Sequence, residues 1–154
     1  MKFSFSEELK KAEGGDYLKL KEGSNVVRIV SPFLLYKSNY QGRPTKKFVG
    51  YVIDRKDGAI KPAFLAMTLV EKIESLQLSP TYGFAEVPMP YDIDITAKNA
   101  GTIDVDYNVI PQPQVALTDE EQKAISAVSV EELILSLQAL QGGAQSENQV
   151  APNN

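Results

Sequence analysis

Apolar residues recur about every two residues before Thr68 and about every 3.6 residues after it. This change of period constrains the fold more than any other feature of the sequence. From residue 68 to 78 the apolar positions fall on one side of a helix, with Thr68 as the expected N-cap and Glu71 three residues later. The neighbouring segments alternate between apolar and polar residues or are rich in β-branched residues, which indicates strands. Three such segments precede the helix and two follow it: residues 25–30, 47–55, 59–65, 91–97 and 102–110.

Three strands, a helix and two further strands is the element order of a five-stranded oligonucleotide-binding barrel (OB fold), in which the helix lies between strands 3 and 4. We therefore predict a mainly β domain with some α structure over residues 17–113. Residues 33–36 are expected to continue the first strand past a bend, and residues 39–45 have the composition of an exposed loop. Pro111 and Pro113 are expected to end the sheet.

The rest of the chain divides into an arm, a helical segment and a tail. Residues 1–16 are polar and are predicted to form an N-terminal arm with a short helix at residues 6–12. Residues 114–143 are predicted to form C-terminal helices that end before Gly142 and Gly143. Residues 144–154 have the composition of a disordered tail. Two capping boxes mark the starts of the C-terminal helices: Thr118 with Glu121, and Ser129 with Glu132.

Nearly all the cations lie in one third of the chain. The formal charge is −4 overall, but residues 19–61 contain ten basic and three acidic residues, and residues 62–154 contain three basic and thirteen acidic ones. Residues 1–18, with three basic and four acidic residues, are nearly neutral. A fold that keeps the cations together has a local electropositive surface, so the acidic overall charge does not exclude an anionic partner.

Within that third, residues 36–61 alternate cations with aromatic rings. Positive charge attracts the phosphates of a nucleic acid, and rings stack on unpaired bases, so the pattern is what a surface that binds a single nucleic-acid strand needs. In the predicted barrel this segment forms strands 2 and 3, where OB folds bind nucleic acid. The alternative is a basic, half-buried hairpin with its rings in the core. The candidate nucleic-acid-binding residues are Lys37, Tyr40, Arg43, Lys46, Lys47, Phe48, Tyr51, Arg55, Lys56, Lys61 and Tyr107.

Four of these candidates surround the predicted loop and are the expected phosphate contacts. They are Lys37, Arg43, Lys46 and Lys47, and the loop between them is too polar to belong to the core. Tyr40 lies in the same loop and is the first candidate for stacking on a base. The sequence alone does not exclude a merely solvated charged loop.

Each of the remaining rings is predicted to lie either in the core or on the base-stacking surface. Phe48 and Tyr51 lie on opposite faces of the second predicted strand, so we expect one to face the interior and the other to stack on a base. We favour Tyr51 for stacking because Lys47 and Arg55 share its face. Tyr107 fits the core as well as it fits a stacking surface.

Arg55 is ambiguous for a different reason. It lies beside Asp54 and two residues before Asp57, so either carboxylate is a candidate ion-pair partner that would compete with phosphate. The same two aspartates are the only acidic residues between positions 36 and 61.

The sequence contains no cysteine and no histidine. Their absence excludes disulfides, thiol chemistry, cysteine or histidine zinc sites, and proton relay through imidazole. No uncharged apolar stretch approaches the roughly 18 residues that a membrane helix needs, and the first residues lack the apolar run of a signal peptide. We predict a cytoplasmic protein without a membrane partner, and we assign it no cofactor and no metal.

Four aspartates provide the only enzymatic alternative. Asp92 and Asp94 share a face of one predicted strand, and Asp104 and Asp106 share a face of the next. Carboxylates at this spacing can ligate magnesium in a nuclease. Alternating strands also place aspartate on a solvated face, and only Lys98 lies near these residues as a cation. We therefore predict a non-enzymatic protein and keep a magnesium-dependent nuclease as a minor alternative.

Several segments resemble one known family. In order between residues 17 and 121 the chain reads YLKLKEGSNVVRIVSP, GYVIDRKDGAIKP, KIESL, YDIDI, DYNVIPQP and LTDEE. These segments are similar to the single-stranded DNA-binding proteins of tailed phages and prophages. The resemblance implies an OB fold that protects single-stranded DNA during phage replication or recombination, in the cytoplasm of the host.

The sequence departs from that family in two places. Many relatives carry a cysteine zinc ribbon between strands 1 and 2, where this chain has only the loop KSNYQGRPTKK, so no zinc is carried over. Such proteins also often end in a strongly acidic tail that recruits partners, whereas residues 144–154 contain only Glu147 as an acidic residue. The acidic helices between Asp119 and Glu132 are the alternative surface for replication or recombination proteins.

A second function class fits the same sequence. In a protein-interaction or assembly factor with an OB-like fold, the C-terminal helices would bind a partner and the basic hairpin would only be a soluble surface. The sequence leaves open the oligomeric state, the site size, the preference for DNA over RNA, and whether the C-terminal helices cover the binding face.

Overall fold

A computed structural model describes residues 17–40 and 42–149, with side chains except those of residues 39, 40 and 140–149. The predicted arm at residues 1–16, with its short helix, lies outside the described residues, as do residues 150–154 of the predicted tail. The described elements are β1 (Gly23–Ile29), β2 (Leu34–Tyr40), β3 (Arg43–Asp54), β4 (Ala59–Leu65), α1 (Met67–Gln77), β5 (Tyr91–Lys98), β6 (Asp106–Gln114), α2 (Asp119–Ser126) and α3 (Val130–Gln149).

The six strands form one antiparallel sheet in the order β2-β3-β1-β5-β6, with β4 paired to β3 as well. The long strand β3 organises this sheet. Its first half pairs with β2, from Arg43 opposite Tyr40 to Val49 opposite Leu34. Its second half pairs with β1 on that edge and with β4 on the other. Residues 30–33, which include a proline, separate β1 from β2, so the two strands follow one another along one edge of β3.

The predicted mainly β architecture is confirmed, but the closed five-stranded barrel is not. Closure would require a pairing between β4 and β6, and among the described strands these two remain unpaired with each other. Helix α1 instead packs against β6 and β3. The sheet therefore has six strands and is open.

Two strands differ from the sequence-based prediction. Residues 34–40 form a separate strand rather than the end of β1 and a loop, because β3 supplies them with a continuous pairing partner. The last strand was expected at residues 102–110 but runs from Asp106 to Gln114. It includes Pro111 and Pro113 because β6 is the edge strand next to β5, where a missing backbone N–H is tolerated.

The first apolar cluster lies on the side of the sheet that we call the inner face. Strand alternation places Ile93 and Ile95 there, both almost completely buried. Helix α1 covers this face with Leu69 and Ile73, and Val52 from β3 completes the contact. The predicted helix is thus confirmed, but its N-cap is Ala66 and its start has no side-chain cap, so the expected Thr68 cap is wrong.

Helix α3 packs on the opposite side of the sheet, which we call the outer face. Leu133 and Leu137 of α3 form a second buried cluster with Val49 of β3. The capping box at the start of α2 is confirmed, since the Thr118 hydroxyl accepts from the backbone N–H of Glu121 and the Glu121 carboxylate accepts from that of Thr118. None of the helices in the described residues is long and apolar enough to cross a membrane.

Helix α3 is longer than predicted. The Ser129 hydroxyl accepts from the backbone N–H of Glu132 at 3.3 Å, as the second capping box requires at that position. The helix then continues through Gly142 and Gly143 to Gln149. The expected stop at the two glycines is therefore wrong, and the part of the predicted disordered tail up to residue 149 is helical.

Candidate nucleic-acid interface

The hairpin of β2 and β3 brings the four expected phosphate contacts together. Residues directly opposite one another in an antiparallel pair point to the same face. Lys37 lies opposite Lys46, which puts this pair on the inner-face side, whereas Lys47 lies opposite Tyr36 on the outer-face side. Arg43 is four residues before Lys47 and shares its face by strand alternation. The hairpin therefore presents two cations on each side.

These four residues, which we call the hairpin cations, are exposed. In the described part of the chain, none of Lys37, Arg43, Lys46 and Lys47 takes part in an ion pair. Lys37 and Lys46 also lie directly opposite each other, and like charges in that position destabilise a strand pair. An anion bound between them would remove that repulsion.

The expected exposed loop at residues 39–45 is instead the end of this hairpin. Tyr40 pairs with Arg43, and Gly42 adopts a positive φ of 78°, which glycine tolerates without steric cost. The Ser38 and Thr45 hydroxyls are 2.5 Å apart and join the two strands just below the end. The side chain of Tyr40 lies outside the described side chains, so its stacking role stays a prediction.

Arg55 belongs to an ion-pair network rather than to an open binding surface. Its Nε lies 3.0 Å from Asp92 Oδ2, and its Nη1 bonds to Glu121 of α2. The other oxygen of Asp92 lies 2.7 Å from Nε of Arg28, whose side chain is only 1% exposed. Arg28 Nη1 also donates to the carbonyl of Val115 at 2.7 Å. Arg55 is thus paired with Asp92 and Glu121 rather than with Asp54 or Asp57, and its phosphate contact stays a prediction.

Lys61 is likewise part of the folded interior. Its residue is 8% exposed, and Nζ lies 2.9 Å from Asp54 and 2.8 Å from Asp57. The hydrogen bond from Lys61 is the main reason why the pKa of Asp57 is below its ordinary value. Lys56, by contrast, is exposed in the turn between β3 and β4. Of the basic candidates, Arg55 and Lys61 therefore stabilise the fold, and we call them, with Arg28, the interior cations.

Two candidate rings pack toward the inner face. Phe48 shares its face with Val52 and lines an apolar groove with Phe33, Val70 and Phe84. This agrees with its expected inward orientation. Tyr107 packs against the first apolar cluster from β6, near α1, and so is separated from the hairpin by the width of the sheet.

Tyr51 lies on the outer face, as expected, but α3 covers part of that face. Its ring packs against the cluster of Val49, Leu133 and Leu137 and is half-buried. Tyr36 packs against the same cluster, and burial raises the pKa of its hydroxyl. Helix α3 therefore packs across the ring-bearing face of β2 and β3.

Sequence reasoning missed two rings on the outer face. Phe64 of β4 lies opposite Val49 and packs against the second cluster. Tyr17 meets the Phe64 ring edge to face, with ring centroids 6.0 Å apart. The turn places Asp54 opposite Ala59 and so sets the register between β3 and β4. Counting residue pairs from that turn would have placed Phe64 opposite Val49. We call Tyr17, Tyr36, Tyr51 and Phe64 the ring row.

The four aspartates of the nuclease alternative are dispersed or engaged. Asp92 binds Arg28 and Arg55, and Asp94 accepts from the Ser24 hydroxyl at 2.7 Å. Asp106 lies 3.4 Å from Lys72. Across residues 17–40 and 42–149, no group of three or more carboxylates is placed to hold a metal ion.

No protein-family description, no curated protein and no solved structure matches this chain.

Proposed function

We propose that this protein binds single-stranded DNA without sequence preference and without catalysing a reaction. The observation that carries the proposal is the difference between the two sets of cations. The interior cations are bound by carboxylates, whereas the hairpin cations are exposed and, among the described residues, outside every ion pair. Exposed cations without a carboxylate partner suit a backbone of phosphates, which neutralises them and releases counterions.

The ring row supplies the second component of single-strand binding. Bases stack on aromatic side chains irrespective of sequence, and each stacked base contributes about 1–3 kcal/mol. Lys47 shares its face with Tyr36 and Tyr51, so a strand on the outer-face side of the hairpin meets charge and rings together. The rings are partly exposed beside α3, and stacking on them uses those exposed parts.

A role in phage DNA replication or recombination is the biological setting that we propose. The resemblance of residues 17–121 to phage and prophage single-stranded DNA-binding proteins supports it. A magnesium-dependent nuclease has no comparable support, because both oxygens of Asp92 are already bound by arginines.

A gel-shift comparison of labelled oligo-dT with a duplex of the same length tests the proposal. At low salt the single strand is expected to shift and the duplex to shift less, because only unpaired bases can stack on rings. A single strand that does not shift would rule the proposal out. Magnesium-dependent loss of the probe in the same gel would instead identify a nuclease.

Binding to another protein is the second candidate function, and helix α3 is the element that favours it. This helix covers part of the ring row and leaves Leu135 63% exposed beside the acidic start of the helix. If this is the main function, Leu135→Ser abolishes the biological role in a complementation assay, and the protein does not bind the single strand. If strand binding is present and Leu135→Ser has no effect, the interaction hypothesis fails.

A further inference from the structure

We propose a second phosphate-binding site, in the groove between residues 17–26 and the β3–β4 turn, where Lys19, Lys21 and Lys56 contact the backbone of the bound strand. The site rests on the proposed function, because its ligand is the same single-stranded DNA. The groove has a volume of about 870 Å³, and all three lysines line it. The three lysines lie outside the β2–β3 hairpin, so each site can be changed by mutation without changing the other.

The carboxylates of the groove already have partners. Asp54 and Asp57 bind Lys61, and Asp92 binds Arg28 and Arg55. The fourth carboxylate, that of Glu22, accepts from two backbone amides, at 2.9 and 3.3 Å. Among the described residues, Lys19, Lys21 and Lys56 are thus left without an ion-pair partner, although four carboxylates line the same groove.

Two of the lysines are held close enough to repel each other. The proximity of Lys56 is the main reason why the pKa of Lys21 is below its ordinary value, and Lys19 adds to the effect. Both side chains are at the surface, where one positive charge near another is unfavourable unless an anion lies between them. A phosphate in the groove would supply that anion and would favour the charged form of both lysines.

The ring row connects this groove to the hairpin. Tyr17 lines the groove, Lys19 Nζ lies 5.4 Å from the centre of its ring, and the ring meets Phe64 edge to face. Phe64 in turn packs on the cluster that includes Tyr51 and Tyr36 at the base of the hairpin. The hairpin cations and the groove lysines lie near opposite ends of β3. This strand has 12 residues, and a straight strand of that length spans about 37 Å at about 3.4 Å per residue. A strand long enough to follow the ring row therefore meets cations at both ends.

The geometry predicts a dependence on oligonucleotide length that neither site alone produces. A protein with Lys21→Ala and Lys56→Ala is compared with wild type on oligo-dT of about 4 and about 16 nucleotides, the range of site sizes of single OB-fold domains. On the long strand the slope of log affinity against log salt is expected to be shallower by about 1.4, for two contacts of about 0.7 each. The short strand cannot follow the ring row from the hairpin to the groove. For this strand, the affinity and the salt slope of the variant at the hairpin are expected to match those of wild type.

The matched control carries Lys98→Ala and Lys123→Ala, which also removes two exposed lysines but none from the groove. Its slope on the long strand is expected to equal that of wild type. If the groove variant also equals wild type on the long strand, or if both variants lose the same slope, the second site does not exist, and strand binding by the hairpin still stands. If wild type binds neither oligonucleotide, the proposed function itself fails. An unchanged thermal midpoint in both variants excludes unfolding as the cause.

Discussion

The interior cations and the hairpin cations come from the same basic third of the chain, yet the structure uses them differently. Arg28 is 1% exposed and bound to Asp92, while Lys46 is exposed and lies opposite another lysine. A buried cation is costly unless a carboxylate and hydrogen bonds compensate it, so each interior cation is paired. An exposed cation carries no such cost and remains available to a ligand. Net charge therefore indicates an anion-binding surface only after the paired cations have been subtracted.

The position of each group along β3 explains the difference. Arg55 and the partners of Lys61 lie at the end of β3 where α2, β1 and β4 enclose the strand. The hairpin lies at the other end, where among the described residues β3 pairs only with β2 over residues 43–47. Among the described strands no second partner flanks β3 at that end, and the cations there are exposed.

Arg28→Ala should cause the largest change in stability. It removes the buried guanidinium and leaves the partly buried carboxylate of Asp92 with Arg55 as its remaining partner, so the loss is expected to be at most about 3–5 kcal/mol, the cost of breaking a fully buried pair. Urea unfolding followed by circular dichroism measures the loss. Lys46→Ala is the control from the other group and should change the free energy of unfolding by less than about 0.5 kcal/mol. Equal losses in the two variants would contradict the distinction between the groups.

The two sides of the hairpin should contribute unequally to DNA binding. Arg43→Ala with Lys47→Ala removes the cations on the ring-bearing side, and Lys37→Ala with Lys46→Ala removes the same number from the other side. If the strand follows the rings, the first variant loses about 1.4 in salt slope and the second loses less. Fluorescence anisotropy with labelled oligo-dT measures both slopes. The reverse order would place the strand on the inner-face side of the hairpin.

Tyr51→Leu separates stacking from packing. Leucine keeps an apolar side chain against Val49 and Leu133, and the free energy of unfolding of the same variant measures what the packing loses. A lost stacking contact weakens strand binding by about 1–3 kcal/mol. Tyr107→Leu is the matched control, since Tyr107 packs against the other cluster and should leave the affinity unchanged. An affinity loss in both variants, or in neither, would remove Tyr51 from the interface.

The smallest expected effect concerns acid stability. The backbone N–H of Thr118, and then the Arg55 guanidinium, hold the pKa of Glu121 below its ordinary value of 4.5. Because the folded-state pKa is lowered, Glu121 contributes stability that is present above its unfolded pKa and is lost as the pH falls through the folded pKa. Glu121→Gln should therefore reduce stability at neutral pH and flatten its decline in acid. Urea midpoints between neutral pH and about pH 3 check this; parallel pH profiles would contradict it.

The sequence predicted those parts of the fold that depend on local pattern. The strands in β1, β3, β4 and β5, the helix α1 and the Thr118 capping box are each encoded within about a dozen residues. β2 was missed because its polar sequence becomes a strand only beside β3. The open sheet could not be foreseen, since closure depends on whether β4 and β6, more than 40 residues apart, pair with each other.

The candidate site was predicted in part for the same reason. Exposure of Lys37 and Lys47 followed from the polar residues around them. The pairing of Arg28 and Arg55 did not, because Asp92 is 64 and 37 residues away from them along the chain. The lysine groove was missed because Lys19 and Lys21 meet Lys56 only after the chain has folded. Long-range partners decide which charges remain available.

The central claim is that the hairpin cations, unlike the interior ones, bind phosphate. Its most direct test is the salt dependence of oligo-dT affinity, measured by fluorescence anisotropy for wild type and for the variant with Lys37, Arg43, Lys46 and Lys47 all changed to alanine. The account predicts that wild type binds with a steep negative slope and that the variant, equally stable, has a slope shallower by more than about 1.4 and by at most about 2.8, the limit for four contacts of about 0.7 each. A wild type without measurable binding at low salt, or a variant with the slope of wild type, would contradict it.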